Sequence, residues 1–176
     1  VLVLESAEAA RARKAPTVYA RMRGWGQSSD GHSVAISHPE GDGLARAIEQ
    51  ALASSGVAPR ELGYINAHAA STPIGDLSEA KAIARVLGDC RPPVSSTKAL
   101  TGHGLSLASA LEAAICALCL RDTILPGSAH IDELDPKIAE LALNIPRQSQ
   151  NTNPGLTLSN SSGFGGSNVA LLFEPA

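Results

Sequence analysis

Residues 105–121 constrain the fold more than any other part of this sequence. The segment has the length of a helix, and apart from Ser106, Ser109 and Glu112 its interior positions are apolar on every side. A helix without a polar face lies inside a protein. It is shorter than the about 20 apolar residues that a membrane span needs, and it has a carboxylate at its centre. We therefore predict a buried helix in a soluble, layered fold.

Strands and helices alternate along the rest of the chain. Short apolar runs predict strands, which we place near residues 1–4, 17–26, 64–67, 93–95, 156–159 and 168–173. Helical patterns lie near residues 6–14, 43–55, 76–87 and 136–141. Asp76 and Glu79 have the spacing of a capping box and are expected to open the third of these helices. This alternation favours a layered α/β architecture.

Composition excludes several classes of function. The chain has 176 residues, a net charge of −3 and 44% hydrophobic residues, which suits one ordinary domain. It has no basic block and only one Trp, two Tyr and two Phe, so we expect no nucleic-acid partner. The chain has three cysteines, an odd number that does not suit a disulfide framework. Its first residues lack the pattern of a signal peptide. We expect a cytoplasmic protein that does not associate with a membrane.

The cysteines offer no convincing nucleophile. Cys116 and Cys119 lie within the apolar helix, where a thiol is expected to be an inert hydrophobic group. Cys90 lies in a loop between a helix and two prolines, without the strand-to-helix elbow that exposes a nucleophile. The i, i+3 spacing of the first two resembles half a metal site, but no second pair completes it, so we expect no metal.

Two histidines occupy positions where chemistry is common. His68 comes directly after a short strand, and ligands gather at the carboxyl ends of strands in open α/β sheets. His103 precedes the apolar helix, whose positive N-terminus favours a neutral imidazole that can donate one hydrogen bond. The alternatives are a surface histidine at 68 and a capping histidine at 103.

Glu112 needs a partner if its helix is buried, because an unpaired carboxylate is costly to bury. Lys98 is the natural candidate, although a purely structural ion pair would have the same pattern. Ser106, Ser109 and Glu112 are spaced by three and share one side of the helix. The glycine-rich turn at residues 163–166 offers unobstructed backbone N–H groups for an oxyanion, or forms an ordinary hairpin loop.

Three blocks occur in the order and spacing of one known family. They are YINAHAASTPIGD at residues 64–76, VSSTKALTGH at 94–103 and LSNSSGFGGSN at 158–168. Together they resemble the C-terminal half of the β-ketoacyl-acyl carrier protein synthases, the thiolase-like condensing enzymes of fatty-acid and polyketide synthesis. The resemblance implies the C-terminal half of a thiolase-like layered fold, a mixed five-stranded sheet packed with helices. It assigns residues 1–176 to the C-terminal domain, with residues 1–26 as the end of the N-terminal half.

The resemblance also implies roles for individual residues. The implied activity is that of an acyltransferase, which catalyses the decarboxylative Claisen condensation of an acyl thioester with malonyl-carrier protein. His68 and His103 would donate hydrogen bonds to the malonyl thioester, and Lys98 paired with Glu112 would hold that arrangement. Phe164 matches the gate residue whose backbone N–H joins the oxyanion hole. Thr72 matches a threonine that binds pantetheine.

The resemblance implies further partners and some departures. No metal or organic cofactor is expected, because 4′-phosphopantetheine arrives on the acyl carrier protein. The second pantetheine threonine of the family is replaced by Ala70, the glycine after the first histidine by Ala69, and a frequent aromatic by Ser162. These changes indicate a divergent member.

The family's nucleophilic cysteine belongs to the N-terminal half, so we expect this chain alone to be inactive. We expect it to associate with that half, with a paired subunit or with itself, as a dimer or other oligomer. Two other readings remain open: a non-catalytic partner subunit like a chain-length factor, or an inactive remnant. An unrelated acyl-binding module would explain the glycine-rich turn but not the block at residues 94–103.

Overall fold

The computed structural model describes all 176 residues. Its helices are α1 (Ala7–Ala12), α2 (Asp42–Ser55), α3 (Pro73–Leu87), α4 (Lys98–Thr101), α5 (Ala108–Asp122) and α6 (Pro136–Ala139). Its strands are β1 (Arg21–Ser29), β2 (Tyr64–Asn66), β3 (Val94–Ser95), β4 (Ile124–Leu125), β5 (Gln150–Asn151), β6 (Thr157–Gly163) and β7 (Ser167–Glu174).

The main sheet is mixed and has five strands in the order β1-β7-β6-β2-β3. Strand β2 is parallel to both β3 and β6, whereas β7 is antiparallel to β6 and β1. Strands β4 and β5 form a separate two-stranded ribbon. The predicted mixed five-stranded sheet packed with helices is confirmed.

Helices cover both faces of the sheet and give the molecule three layers. On one face, α2 and α3 pack on a core that includes Ile48, Ile65 and Leu158. On the other face, α5 packs on a smaller core that includes Tyr64 and Cys116. The central strand segments β2 and Thr157–Asn160 are buried, and the side chains of Tyr64, Asn66 and Asn160 form hydrogen bonds inside the protein.

Helix α2 approaches β1 more closely than a side chain would allow. A Cβ added at Gly26 would lie 2.0 Å from the carbonyl oxygen of Ala47, and one at Gly24 would lie 2.6 Å from that of Ala51. The helix ends at Gly56, whose φ of 68° is in the left-handed region, as the sequence predicts.

The N-terminal segment does not form the predicted buried strand. Residues 1–4 have no regular structure, and Val1, Val3 and Leu4 are exposed. Strand β1 instead provides the edge of the sheet and pairs with β7 along residues 21–29, and residues 1–4 pair with no strand. The assignment of residues 1–26 to an N-terminal half stays a prediction.

The apolar segment at 105–121 is a helix, but only one face of it is buried. A 3₁₀ turn at Leu105–Leu107 precedes α5, and Leu105, Leu107 and Leu118 are exposed. The buried side faces β6 and β7 and includes Glu112 and Cys116. The prediction of a helix buried all round is wrong for these 176 residues, because α5 packs on the sheet with one side only.

Candidate active site

The carboxyl ends of three parallel strands place the candidate residues at one edge of the sheet. His68 follows β2, Lys98 follows β3 at the start of α4, and Phe164 follows β6. His103 lies between α4 and α5, and Glu112 projects from α5 onto the same region. The structure therefore brings the two histidines, the lysine and the glutamate together.

His68 is a half-buried imidazole beside a cation. Its Nδ1 atom lies 3.5 Å from the Nζ atom of Lys98. Because an ammonium can only donate, Nδ1 is the acceptor and the ring proton belongs on Nε2. Burial, followed by the charge of Lys98, lowers the pKa of His68 to about 4. His68 is therefore neutral at physiological pH and has an N–H to donate.

His103 is fixed in the same tautomer by a different partner. Its Nδ1 atom accepts a hydrogen bond of 3.2 Å from the backbone N–H of Leu105. Leu105 has a φ of 51°, a conformation that is rare for a bulky residue, and it directs its amide back to the ring. The two imidazole rings are 5.1 Å apart between centroids and nearly perpendicular, at 84°. Both rings line the same pocket.

Lys98 and Glu112 form a buried ion pair, as their patterns predict. Their side chains are 6% and 3% exposed, and Glu112 Oε1 accepts a hydrogen bond from Lys98. The second carboxylate oxygen accepts a weaker hydrogen bond of 3.4 Å from Ser161 on β6. Burial raises the pKa of Glu112, and the neighbouring Lys98 ammonium opposes that rise. The ammonium is thus held between a carboxylate and a neutral imidazole.

Glu79 is a buried carboxylate that the sequence analysis misassigned. Its oxygens accept hydrogen bonds of 2.7 Å from the backbone N–H groups of His68 and Ala69, and one of 2.6 Å from Asn160 Nδ2. Ala69 has a φ of 28° and Ser71 a φ of 64°, so the turn is strained and the carboxylate stabilises it. The residue positions His68 rather than capping a helix.

The predicted capping box at Asp76 and Glu79 is therefore wrong. Helix α3 begins at Pro73, with Thr72 as its N-cap, and Asp76 accepts a hydrogen bond of 3.2 Å from the Thr72 backbone N–H. Proline is favoured at the first helical position, so Thr72-Pro73 was the signal that could have placed the start correctly. It would also have left Glu79 inside the helix and free to face the His68 turn.

The pocket beneath these residues has a volume of about 530 Å³. His68 and His103 line it together with Thr72, Ser109 and Phe164. The Phe164 side chain is 82% exposed at its mouth. The Gly165 backbone N–H is not free for an oxyanion, because it donates to the carbonyl of Val34 at 2.8 Å. The turn is also a hairpin, since it joins the antiparallel strands β6 and β7.

The three cysteines lie outside this pocket. Cys116 and Cys119 are buried and Cys90 is half-buried, and none of them lines the pocket. Burial raises the pKa of the Cys116 thiol far above its usual range and that of Cys119 to about 11. Neither buried thiol is a ready nucleophile. No group of three or more His, Cys, Asp or Glu is arranged to hold a metal ion, and the expectation that the chemistry needs none stays a prediction.

Comparison with known proteins identifies the family. The family described as "Beta-ketoacyl synthase, C-terminal domain" matches residues 19–132. This chain belongs to the β-ketoacyl synthase family. The 3-oxoacyl-(acyl-carrier-protein) synthase 2 of Staphylococcus aureus is 39% identical over 99% of this chain and 43% of its own length. The protein of the same name from Mycobacterium bovis is 37% identical over 98% of this chain and 41% of its own length.

Solved structures of β-ketoacyl synthases share the fold. A β-ketoacyl synthase from Burkholderia phymatum is 33% identical, with a TM-score of 0.90 over 98% of this chain and 41% of that one. The ishigamide ketosynthase/chain length factor is 34% identical, with the same score and the same coverage. The chain thus spans about two fifths of the length of these β-ketoacyl synthases. No helix in it combines the length and the hydropathy needed to cross a membrane.

Proposed function

We propose that this chain contributes the decarboxylation and enolate-binding half of a β-ketoacyl-acyl carrier protein synthase. The observation that carries the proposal is the pair of neutral imidazoles, 5.1 Å apart, whose Nδ1 atoms are engaged and whose Nε2–H groups remain for a ligand in the pocket. Two neutral donors directed at one region suit an oxygen that gains negative charge during a reaction.

The reaction can be followed as a movement of electron pairs. The malonyl thioester loses CO₂, and the electron pair of the broken C–C bond moves into an enolate whose oxygen is bound by His68 and His103. The enolate carbon then attacks the carbonyl of an acyl-cysteine thioester, forms the new C–C bond and expels the cysteine thiolate. Neutral imidazoles support both steps, because an N–H donor stabilises the enolate oxygen without protonating its carbon.

The Lys98–Glu112 pair supports the histidines and does not itself react. The ammonium donates toward His68 Nδ1 and keeps the proton on Nε2. It also disfavours a second positive charge on the ring, since the Lys98 charge contributes to the low pKa of His68. Glu112 offsets the cost of burying that ammonium.

The residues at the mouth of the pocket suit an acyl-pantetheine substrate carried by an acyl carrier protein. Thr72 and Phe164 both line it. In this proposal, Thr72 donates a hydrogen bond to the pantetheine arm, and Phe164 swings as acyl groups enter and contributes its backbone N–H to the oxyanion hole. Ala70, which lines the same wall, cannot donate, so the arm is held by fewer hydrogen bonds.

The acyl-carrying cysteine comes from outside these residues in this proposal, because neither buried thiol reaches the pocket and Cys90 does not line it. It would be supplied by an N-terminal half or a paired subunit. One related structure shows a type II acyl carrier protein in complex with its ketosynthase, and another shows a ketosynthase in complex with its chain length factor. Those partner types are consistent with the proposed assembly.

The test measures release of CO₂ from malonyl-carrier protein by this chain together with the cysteine-bearing half of a β-ketoacyl synthase. We expect release with both parts, and about 100-fold slower release for His103→Asn, which removes the Nε2 donor. His103→Gln, whose amide reaches the Nε2 position, is expected to retain part of the rate. The exposed His130 lines neither the pocket nor the cleft described below, so His130→Asn serves as the matched control.

Absence of CO₂ release in every combination would overturn the enzymatic proposal and favour the non-catalytic partner subunit. A His103→Asn variant as fast as the parent would leave the partner question open but would remove His103 from the decarboxylation step. Both variants are checked for folding by their thermal transitions, so that loss of activity is not confused with unfolding.

A further inference from the structure

A second cleft lies beside the His68 turn and shares Asp76 and Glu79 with the main pocket. It has a volume of about 110 Å³. Apolar side chains from α3, β3 and the segment leading from residue 131 to residue 145 line most of it; they include Ile83, Val94, Ile131, Leu134, Ile138 and Leu143. We propose that this rear cleft is a binding site for a small, neutral hydrocarbon group.

The polar side chains that line the rear cleft already form hydrogen bonds within the protein, including Asp76 with the Thr72 backbone and Ser96 with the Lys98 backbone. Glu79, which lines it, already accepts hydrogen bonds from His68, Ala69 and Asn160. Ser128 accepts one from the backbone of Ser96 at 3.1 Å.

Ser95 is satisfied as well, since its hydroxyl bonds to the Tyr64 hydroxyl and to the carbonyl of Pro126. Four buried polar side-chain atoms of the protein have no partner, but none of their residues lines this cleft; they belong to Asn66, Thr97, Thr157 and Asn160. Water and polar ligands would therefore gain little there, whereas an apolar group loses contact with water.

The size and the charge of the cleft limit the class of ligand that can bind. Its volume is somewhat smaller than that of an apolar protein cavity of about 150 Å³ that takes up benzene or xenon. Asp76 and Glu79 are the titratable groups in its wall, and both are acidic, so an anionic ligand of the same size is disfavoured. The ligand class is a short alkyl or aryl group, either free or at the end of a larger neutral molecule.

The position of the rear cleft couples it to the active site. Ala67 and Ala69, which flank His68, form part of its lining, and Asp76 and Glu79 line both the cleft and the main pocket. Ala69 has the strained φ of 28°. A group packed against Ala69 would favour one arrangement of the turn, and the His68 ring would change its environment without being touched.

The experiment titrates xenon and then benzene into the full chain with labelled isoleucine and leucine methyl groups, followed by NMR. With the histidine rings labelled as well, we expect saturable shifts at Ile83 and Ile138 and at the His68 ring, and none at Ile124, which lies on β4 and does not line the cleft. Butyrate, which has a similar size and a negative charge, should bind at least about tenfold more weakly.

Two variants that fill the rear cleft, Ala80→Ile and Ile138→Phe, should each weaken the benzene shifts at least about tenfold. Ile124→Phe is the matched control and should not. Displacement of benzene by butyryl-pantetheine would identify the alkyl end of a thioester as the source of the group, and failure to displace it would identify a free hydrocarbon.

The proposal is overturned if no shift saturates, if the shifts survive in both filled variants, or if butyrate binds as tightly as benzene. None of these readouts requires catalysis, so a failure here is distinguishable from a failure of the synthase proposal.

Discussion

Lys98 and Glu112 depend on each other because both are removed from water. Replacing Glu112 by Gln leaves a buried ammonium without its counter-ion, which we expect to cost about 3–5 kcal/mol of the free energy of unfolding. The double variant Lys98→Met, Glu112→Leu should be destabilised less than Glu112→Gln alone, since neither charge then remains buried. Urea unfolding of the parent and the variants measures these differences.

The exposed pair of Lys81 and Glu40 provides the control for that cycle. Their nitrogen and oxygen atoms are 2.6 Å apart, but the side chains are 31% and 61% exposed. Lys81→Met is therefore expected to change the free energy of unfolding by at most about 1 kcal/mol. If Glu112→Gln lowers the free energy of unfolding no more than Lys81→Met does, Lys98 and Glu112 do not depend on each other for stability.

His68 makes the stability of the protein depend on pH in a defined window. Its pKa is about 4 in the folded protein against 6.5 for a free side chain. Between these values the unfolded chain binds a proton that the folded chain does not, so the free energy of unfolding falls as the pH falls from 6.5 to 4. The loss is at most about 3 kcal/mol and levels off below pH 4.

Urea unfolding of the parent and of His68→Gln at several values between pH 4 and pH 7 tests this window. The two proteins share their other titrating groups, so the difference between their curves isolates the imidazole. The difference should change with pH in this window and be constant above about pH 7. Parallel curves throughout the range would show that the ring is not held neutral by burial and Lys98.

Strand β1 and helix α2 meet through glycines, so this contact tolerates no added side chain. We expect Gly26→Ala to destabilise the protein by about 2 kcal/mol or more, because its Cβ would collide with the backbone oxygen of Ala47, which cannot move without shifting the helix. Gly163→Ala is the matched control, since a Cβ there meets nothing within 4 Å and φ is −138°. Thermal unfolding of both variants tests this prediction, and equal transition temperatures would contradict it.

Elements whose determinants are local could be predicted from the sequence. Helix α2 has its apolar face and its terminal glycine within one stretch of chain, and β2 and β7 lie close to their predicted bounds. Strand β6 continues to Gly163, whereas its predicted end is residue 159, because polar residues and a glycine at 160–163 do not predict a strand. Residues 1–4 could not be placed in this way, because an apolar run forms a strand only where another strand accepts its hydrogen bonds. The start of α3 was missed because two start signals, at Thr72 and Asp76, lie four residues apart.

The residues of the candidate site also divide into those that the sequence predicts and those that it does not. His68 and Lys98 follow parallel strands, so their meeting could be inferred, and the pairing of Glu112 followed from the cost of burying it. Glu79 could not be assigned, because its partners are backbone N–H groups of a strained turn whose conformation no local pattern specifies. Such contacts depend on the packed fold as a whole.

The molecule as a whole exposes apolar side chains on the 3₁₀ turn before α5 and on β1. Leu105, Leu107 and Trp25 are 71%, 61% and 57% exposed. Apolar surface of this kind usually contacts a partner. We therefore expect the chain alone to associate in solution, and to sediment as a species larger than its mass of 18.0 kDa.

Sedimentation velocity of the parent and of Leu107→Glu tests this expectation. A carboxylate buried in the contact should weaken association at least about tenfold, since the charge would have to leave water. Val34→Glu is the control, because Val34 is 81% exposed but lies in a different element, the loop between β1 and α2. Two results would count against a contact surface on α5: a parent that sediments as a single monomer at micromolar concentration, or a Val34→Glu variant that dissociates as readily as Leu107→Glu.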